Sequence, residues 1–198
     1  MDEGSQTVSQ EILDAVRGGD QGASRTLIDM LYPQVISIVR NHLPRSETEE
    51  DIVQDVFMKV FAKIDSYRGR QPFSHWVSRI TLNTCRDWLR RGQVRPAVSW
   101  TDLHPDQAEL LERTLAGNEP APDENPALLR DFLDQLISTL NPREQIVIRL
   151  LDLEERSVQD VSDLPGWGVS KVKVTAMRAR RKLAEQMRRL DPDAKPES

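Results

Sequence analysis

Cysteine and histidine are scarce in this chain of 198 residues, which has one cysteine, Cys85, and three histidines, His42, His75 and His104. A single thiol cannot form a disulfide within the chain, and the histidines lack the close spacing of metal ligands. We therefore expect no metal and no cofactor, and a reducing, cytoplasmic compartment. Cys85 lies within a predicted helix, where a small core residue is expected rather than a redox switch.

Long apolar runs are missing as well. No stretch approaches the roughly 20 consecutive apolar residues that a membrane span requires, and the first ten residues are polar, with two acids and no base. Export and membrane contact are therefore not expected. Aromatic residues make up only 5% of the chain, against 38% hydrophobic and 30% charged residues. This composition favours a helix-rich chain with modest cores over a β-sandwich.

Apolar residues recur with a helical period throughout the first half of the chain. Four helical segments between Val8 and Arg91 are predicted to share one core, and the stripe of the second is interrupted by Pro33. The clearest periodicity lies in the third segment, where one broad apolar face extends over about three turns. Thr48 and Asp51 resemble a capping box at its start. The face consists of Ile52, Val53, Val56, Phe57, Val60, Phe61 and Ile64.

The periodicity fades between residues 93 and 126, where five prolines occur. From Thr101 to Pro126 there are seven acidic residues and one basic residue, so the local net charge is about −6. This composition predicts a flexible acidic linker, with one helical turn around Ala108 to Leu115. The tail from Asp191 to Ser198 is predicted to be disordered.

A second helical domain is predicted to follow the linker. Asn141 is placed as the N-cap of a helix, with Glu144 at the capping-box position. Ser157 is expected to cap a short helix, and Ser170 a last long one that runs to about Arg189. Two helices joined by a tight glycine-containing turn, the second strongly basic, form the pattern of a helix-turn-helix. Trp167 is expected to fill the core beneath that turn.

The last predicted helix carries the strongest concentration of charge. Between Val169 and Leu190, eight basic residues face one acid, Glu185, although the whole chain has a net charge of −5. One narrow face of this helix is apolar and an adjacent face is cationic, which suits the major groove of DNA. A solvated basic helix, or one that binds a protein partner, is the alternative, and the capped turn before it favours DNA.

Two further patterns remain ambiguous on composition alone. Between Asp65 and Arg91, aromatic residues alternate with arginines, as in sites that stack unpaired bases, but the same aromatics suit a core. On the third helix, an acidic patch opposite the apolar face is either a solvated surface or a docking site. Asp51 and Asp55 on that helix are spaced as metal ligands of a nucleic-acid-processing enzyme would be. Neither a further ligand cluster nor a phosphate-binding loop accompanies them.

The run from Thr48 to Arg91 closely resembles the core domain of bacterial extracytoplasmic-function (ECF) sigma factors. The run from Leu136 to Leu183 similarly resembles their C-terminal helix-turn-helix domain. This resemblance implies an all-α protein of two small helical domains joined by a flexible linker. It divides the chain into a sigma core domain (1–92), the acidic linker (93–126), a helix-turn-helix domain (127–190) and the tail (191–198).

The resemblance also implies roles for individual residues. The third helix would bind core RNA polymerase, and the following loop and helix would read and melt the minus-ten promoter element, with one base flipped into a pocket. The residues implied in polymerase binding are Asp51, Gln54, Asp55 and Met58. Those implied in minus-ten binding are Tyr67, Arg68, Gly69, Arg70, Asn83, Arg86, Arg90 and Arg91.

The last helix would read the minus-thirty-five element through Lys171, Lys173, Val174, Thr175, Arg178 and Lys182. Many relatives carry an arginine where this chain has Thr175, a departure that bears on base preference rather than on docking. The linker would run toward the active-site cleft of the polymerase. An anti-sigma factor is the implied protein partner, beside core RNA polymerase and promoter DNA, and no catalytic activity is expected. A stand-alone helix-turn-helix regulator is the alternative, and it would lack a polymerase-binding helix.

Overall fold

The computed structural model describes residues 8–43, 49–91, 126–164 and 166–190, and all regular structure in these ranges is helical. The prediction of an all-α protein is therefore confirmed. In chain order the elements are α1 (Gln10–Arg17), α2 (Gln21–His42), α3 (Glu49–Lys63), a 3₁₀ turn (Ile64–Ser66), α4 (Phe73–Arg91), α5 (Pro126–Ser138), α6 (Pro142–Ile148), a π-helical turn (Arg149–Leu153), α7 (Val158–Asp163) and α8 (Val169–Arg189). Residues 8–91 are called the first half below, and residues 126–190 the second half.

Helices α1 to α4 build the core of the first half. Helix α2 packs against α1, α3 and α4, and its Leu27, Val35 and Val39 have no exposed surface. The predicted apolar face of α3 lies in this core, with Val56 and Val60 fully buried. Burial of a side chain of this size stabilises the fold by roughly 1.5–3 kcal/mol. The first half therefore has an apolar core of its own.

Two helix starts of the first half follow from side-chain caps. Ser9 accepts a hydrogen bond from the amide of Ile12, and Asp20 accepts one from the amide of Ala23. Such caps satisfy amide groups that have no partner within the helix. The predicted cap residue of α3, Thr48, lies outside the described residues. So do residues 93–125 of the predicted linker, its helical turn and the tail, whereas the last residue of the predicted linker, Pro126, begins α5.

The second predicted segment is one helix, although Pro33 interrupts its apolar stripe, because α2 runs from Gln21 to His42 without a break. Proline lacks the amide that would bind the carbonyl group of Asp29 one turn earlier. Pro33 is exposed, so water can reach that carbonyl group. An exposed proline within a long, well-packed helix costs stability without ending the helix.

The second half begins with α5 and is then organised by side-chain caps. Asn141 accepts hydrogen bonds from the amides of Arg143 and Glu144, and Glu144 accepts one in return from the Asn141 amide, which confirms the predicted capping box. Ser157 caps α7 as predicted. Trp167 is buried beneath the turn between α7 and α8, also as predicted. The turn contains Gly166, whose φ of +70° is a backbone conformation that favours glycine.

The prediction that Ser170 caps the last helix is wrong. Helix α8 begins at Val169, and its N-cap is Gly168, which makes no side-chain cap. Burial of Trp167 fixes the chain just before this point, so the helix starts two residues earlier than the serine would require. Glycine is tolerated at an N-cap position.

Two buried charged groups tie the helices of the second half together. Arg149 is buried, and a guanidinium nitrogen lies 2.7 Å from a carboxylate oxygen of Asp134 on α5. Glu144 is buried as well, and it binds the Lys182 ammonium of α8 at 2.8 and 2.9 Å. Removal of one partner from such a pair leaves a buried charge without compensation. The first pair therefore holds the π-helical turn against α5, and the second holds α8 against α6.

Cys85 is fully buried in the core of the first half, and burial raises the pKa of its thiol to about 12. Because the thiolate is the reactive form, we expect folded protein at pH 8 to react with an aromatic disulfide reagent at least ~100-fold more slowly than unfolded protein in guanidinium. Absorbance of the released thiolate measures both rates. Equal rates would show that the thiol is accessible in the folded chain.

Candidate nucleic-acid interface

The loop between α3 and α4 holds four of the predicted site residues, Tyr67 to Arg70. Gly69 has a φ of +69°, which a residue with a side chain rarely adopts. The Tyr67 hydroxyl donates a hydrogen bond of 2.6 Å to the backbone carbonyl of Gln71, which closes the loop. Arg68 and Arg70 are exposed on either side of this turn. The loop therefore displays two cations from a fixed backbone.

Arg17, at the end of α1, anchors the backbone of the same loop. Its guanidinium group donates to the backbone carbonyls of Tyr67, at 3.2 Å, and of Ile64, at 3.5 Å. This contact joins residues about fifty positions apart. Sequence reasoning missed Arg17, because a basic residue in the last turn of a helix is also expected from the helix dipole alone.

The structure resolves the ambiguity of the aromatic residues around this loop. The rings of Tyr67, Phe73 and Trp76 pack together, with centroids 4.9 to 5.7 Å apart. Phe73 is 5% exposed and belongs to the core, whereas Tyr67 and Trp76 lie at its edge, partly buried. The cluster is thus core on one side and available surface on the other.

A cavity of about 500 Å³ opens beside this aromatic edge. Its volume falls within the roughly 300–1,000 Å³ of ligand-binding pockets. Three arginines and two aromatic rings surround it, a combination suited to stacking a base and holding its phosphates. Gln71, Trp76 and Arg79 were not among the predicted site residues. Gln71 directly follows Arg70, and Trp76 lies in the first turn of α4, close to the predicted loop. The lining residues are Ser66, Tyr67, Arg68, Arg70, Gln71, Trp76 and Arg79.

The remaining predicted minus-ten residues lie further along α4. Asn83 donates a hydrogen bond of 2.8 Å to the carbonyl of Arg79, and it lines a neighbouring cavity of about 380 Å³. Arg86 contacts Asp87 at 3.1 Å, and Arg90 lies 3.8 Å from the same carboxylate. Arg91 is exposed at the end of α4. The structure therefore spreads the predicted set along one helix rather than around one pocket.

The predicted polymerase-binding residues lie along the solvent-facing side of α3. Asp51, Gln54 and Met58 are exposed, and Met58, at 64%, is unusually so for a large apolar side chain. The Asp55 carboxylate lies 3.0 Å from the Lys59 ammonium, which also donates to the Thr84 hydroxyl at 3.2 Å. The surface thus combines acidic groups with an apolar centre.

Helix α8 presents its predicted DNA-reading residues near its N-terminus. Lys171, Lys173, Val174 and Arg178 are exposed, and Thr175 is half-buried, with its hydroxyl donating to the carbonyl of Lys171 at 2.7 Å. Lys182 differs from the others, because its ammonium group is held by the buried carboxylate of Glu144. The opposite face, formed by Val172, Ala176 and Ala179, is buried against the preceding helices.

The part of the chain that the structure describes contains neither a group of metal ligands nor a membrane span. Within residues 8–43, 49–91, 126–164 and 166–190, no three His, Cys, Asp and Glu side chains are grouped so that they could hold a metal ion. Over the same ranges, no helix combines the length and the apolar character needed to cross a bilayer.

Comparison with known proteins defines the class of this chain. Residues 27–95 match Sigma-70 region 2, and residues 131–183 match Sigma-70 region 4. These matches contain the loop and helix of the first half and the helix-turn-helix of the second half. The chain is therefore a sigma-70-type transcription initiation factor.

Full-length relatives define the family more narrowly. The ECF RNA polymerase sigma-E factor of Escherichia coli (strain K12) is 30% identical over 178 residues, which cover 88% of this chain and 92% of the relative. RNA polymerase sigma factor YlaC of Bacillus subtilis (strain 168) is 29% identical, over 82% of this chain and 93% of YlaC. The chain belongs to the ECF sigma factors, as the resemblance indicated.

Two solved structures share the fold. CnrH, in complex with the cytosolic domain of CnrY, superposes with a TM-score of 0.54 at 22% identity, over 88% of this chain and 94% of CnrH. The sigma factor RpoE from Bartonella quintana, in complex with the anti-sigma factor NepR, gives a TM-score of 0.50 at 18% identity, over 82% and 95% of the two chains. At these identities the likeness establishes the fold.

Promoter recognition on behalf of RNA polymerase is therefore the function of this chain, in a family of transcription initiation factors that are not themselves catalytic. The match to region 2 disfavours the stand-alone regulator, since such a protein has no use for a polymerase-binding domain. The prediction of a sigma factor is confirmed.

The Arg17 anchor yields a prediction about loop order. Replacement by alanine, Arg17→Ala, removes both hydrogen bonds from the guanidinium group to the loop. It is expected to cost about 1 kcal/mol locally, which is a ~5-fold change in the opening equilibrium. Hydrogen exchange measured by mass spectrometry should then be several-fold faster in residues 64–70 and unchanged in α8. Arg25→Ala, at an exposed arginine of α2, is the control. Unchanged exchange in the loop would contradict the anchoring role.

Proposed function

We propose that the two halves of this sigma factor read separate promoter elements. The assignment divides the chain into a domain for polymerase binding and minus-ten recognition (1–92), a linker (93–126), a minus-thirty-five domain (127–190) and a tail (191–198). The separate matches to regions 2 and 4 support this division. The acidic composition of the linker suits a path near the nucleic-acid channels of the polymerase, where negative charge mimics nucleic acid.

The observation that carries the minus-ten assignment is the cavity beside Tyr67 and Trp76, with arginines at its rim. A base flipped out of the duplex loses a few kcal/mol of stacking, which the pocket must offset by stacking and hydrogen bonds. In this proposal Tyr67, Arg68, Gly69 and Arg70 form the pocket with Arg79. Phosphates of the separated strand then follow α4 past Asn83 to Arg86, Arg90 and Arg91.

The minus-thirty-five assignment is supported by the way α8 is mounted. Its apolar face is buried and its basic N-terminal part is exposed, as in helices that enter the major groove. Lys171, Lys173 and Arg178 supply donors for base edges and phosphates, and the exposed Val174 suits the methyl group of thymine. Thr175 completes the reading face. Lys182 contributes to DNA binding only if it leaves Glu144.

The exposed side of α3 is proposed to bind core RNA polymerase. The exposed side chain of Met58 would become the buried apolar centre of the interface once polymerase binds. Asp51, Gln54 and Asp55 would form a polar rim around it. An acidic rim also speeds association with a basic partner surface.

An anti-sigma factor is a further proposed partner, since the Bartonella quintana RpoE structure contains one, and CnrH is likewise bound to another protein. A cytoplasmic location follows from this proposal, because the chain would act in complex with core RNA polymerase. Under this proposal the chain has no catalytic activity of its own.

Run-off transcription tests the whole proposal. Purified core RNA polymerase is incubated with genomic DNA fragments, with and without this protein, and the new transcript ends are sequenced. We expect new start sites that share two spaced upstream elements. A stable complex with polymerase that yields no new start sites would contradict promoter recognition, and absence of any complex would contradict the role of α3.

The two surfaces should be separable by substitution. Arg178→Ala is expected to weaken binding of the polymerase complex to the minus-thirty-five element by about 1–3 kcal/mol, roughly 5- to 150-fold, with polymerase association unchanged. Asp55→Ala is expected to weaken polymerase association several-fold and to leave the chosen start sites unchanged. Fluorescence anisotropy with labelled promoter duplex and with labelled sigma factor measures the two steps.

The control variants for Arg178→Ala and Asp55→Ala remove the same charge at a different position. Arg188→Ala removes an exposed cation from the far end of α8, and Glu11→Ala removes an exposed acid from α1. Neither should affect its step as strongly as the matching site variant. Impairment of the same step by Arg178→Ala and Asp55→Ala would refute separate roles.

A further inference from the structure

A titratable ring lies where α2 meets the second half of the chain. The Leu82 side chain of α4 is buried in the apolar cluster of the second half, and Ile38 of α2 lies at the edge of that cluster. The last residue of α2, His42, adds a polar contact with Glu154 of the second half. The proton affinity of this histidine is therefore linked to the contact itself.

His42 is buried without complete hydrogen bonding. Its side chain is 1% exposed, and its Nε2 atom lies 3.2 Å from an Oε1 atom of Glu154. Within the described residues, neither ring nitrogen has a hydrogen-bond partner of good geometry. The neutral ring carries one N–H group, whereas the protonated ring carries two. Protonation would therefore add both a charge and a second buried donor, and burial disfavours each of them.

Three charged groups of the second half act on the ring. The Glu154 carboxylate attracts a proton to it, whereas Arg149 and Arg156 repel one. The attraction is shared, because the Arg156 guanidinium group lies 2.8 Å from the same carboxylate. On the helix of the histidine itself, Arg40 is exposed and bound to Glu49 of α3 at 2.9 Å. One shared carboxylate thus faces two cations around a buried ring.

The balance of these effects disfavours a charged ring. Burial lowers the pKa of His42, and the contact with Glu154 offsets this shift only in part. Burial alone would raise the pKa of Glu154, but its contacts with His42 and Arg156 outweigh burial and lower that pKa. Glu154 therefore stays ionised at mildly acidic pH, and His42 is the group of this contact that gains a proton.

The segment that meets His42 has an unusual backbone. Residues Arg149–Leu153 form a π-helical turn, an uncommon arrangement that is frequent at functional sites. Glu155 has a φ of +52°, a left-handed conformation that a residue with a side chain rarely adopts. Such a backbone persists only where surrounding contacts hold it in place. The contact with α2 is one of these, so its loss would let the segment relax.

We propose that His42 makes the contact between α2 and residues 149–156 sensitive to protons, so that mild acidification loosens it. When the ring is protonated, the strained segment moves away from α2 and water reaches the ring. This inference goes beyond the proposed function, since it concerns a response to pH and does not depend on which surfaces read DNA.

The direction follows from the proton affinities of the two forms. A histidine in water has a pKa of about 6.5, and the pKa of buried His42 is lower. The loosened form therefore binds the proton more tightly. The contact is intact above about pH 6.5 and weakens as the pH falls below that value. At about pH 5.5, one unit below the pKa of the free ring, opening should be favoured up to ~10-fold relative to about pH 7.5.

Hydrogen exchange of the full chain, measured by mass spectrometry at about pH 7.5 and about pH 5.5, tests the proposal. Each rate is divided by the intrinsic rate of an unstructured peptide at the same pH. In the wild type, opening of residues 149–156 should then be several-fold, up to ~10-fold, more frequent at the lower pH. His42→Gln keeps a polar side chain that takes up no proton, and it should open equally at both pH values. His75→Gln, which removes an exposed histidine of α4, should behave as the wild type does.

Nuclear magnetic resonance of the imidazole provides a second readout. The His42 signal is assigned by its absence from the variant, and in the wild type it should titrate well below pH 6.5. If circular dichroism shows that His42→Gln is unfolded, His42→Leu takes its place, because it fills the buried site with an apolar group.

The outcomes separate this proposal from the proposed function. Titration of His42 at or above about pH 6.5 would overturn the proton-sensitive contact. Equal opening of residues 149–156 at both pH values in the wild type would overturn it as well, and so would a pH response that survives in His42→Gln. Failure to direct transcription with core polymerase would refute the proposed function, and the exchange and titration results would stand unchanged.

Discussion

Helix α4 contributes to two apolar cores at once, and the arrangement of the rest of the structure depends on that. One side of the helix, with Phe73, Val77 and Cys85, completes the core of the first half. Another side places Leu82 among the apolar residues of the second half. The same helix carries the polar residues of the proposed minus-ten site. The nineteen residues of α4 therefore contribute to folding, to the proposed DNA site and to the contact between the halves. A substitution on one side of this helix is expected to affect the other two.

The second half is organised by charges as much as by apolar packing. The Glu144 carboxylate accepts a hydrogen bond from the Asn141 amide at the start of its own helix, and it also binds the Lys182 ammonium group of α8. Arg149 binds Asp134 across α5 and the π-helical turn. Because a buried charge that loses its partner is costly, the pair of Glu144 and Lys182 restricts how α8 can be placed. A recognition helix needs this restriction, since base contacts depend on its orientation.

Periodicity and capping patterns predicted much of this fold. The apolar face of α3, the capping box at Asn141 and the burial of Trp167 were all expected from local sequence, because each depends on residues within a few positions. Ser170 was predicted wrongly for the complementary reason. Where a helix starts relative to a serine that could cap it depends on tertiary packing, which overrides local preference.

The candidate site was predictable where it lies in one continuous segment. The resemblance to ECF sigma factors supplied Tyr67 to Arg70 and the exposed residues of α3 and α8. Arg17 was missed because it reaches the loop from a helix fifty positions earlier, and Arg79 because its place at the cavity depends on the turn of α4. The contact of Leu82 with the second half could not be predicted, because the apolar pattern of a sequence does not show which of two cores a buried leucine joins.

The pairing of Lys182 with Glu144 also bears on how this protein responds to ionic strength. Affinity for DNA falls with salt in proportion to the number of phosphates that protein cations neutralise. Helix α8 has eight basic residues, but Arg180, Lys182 and Arg189 are each bound to a carboxylate of the chain, namely Asp152, Glu144 and Glu185. Cations held in this way release fewer counterions from DNA. The second half should consequently be less sensitive to salt than its charge suggests, and more of its discrimination between promoters rests on the fit of α8 to base edges.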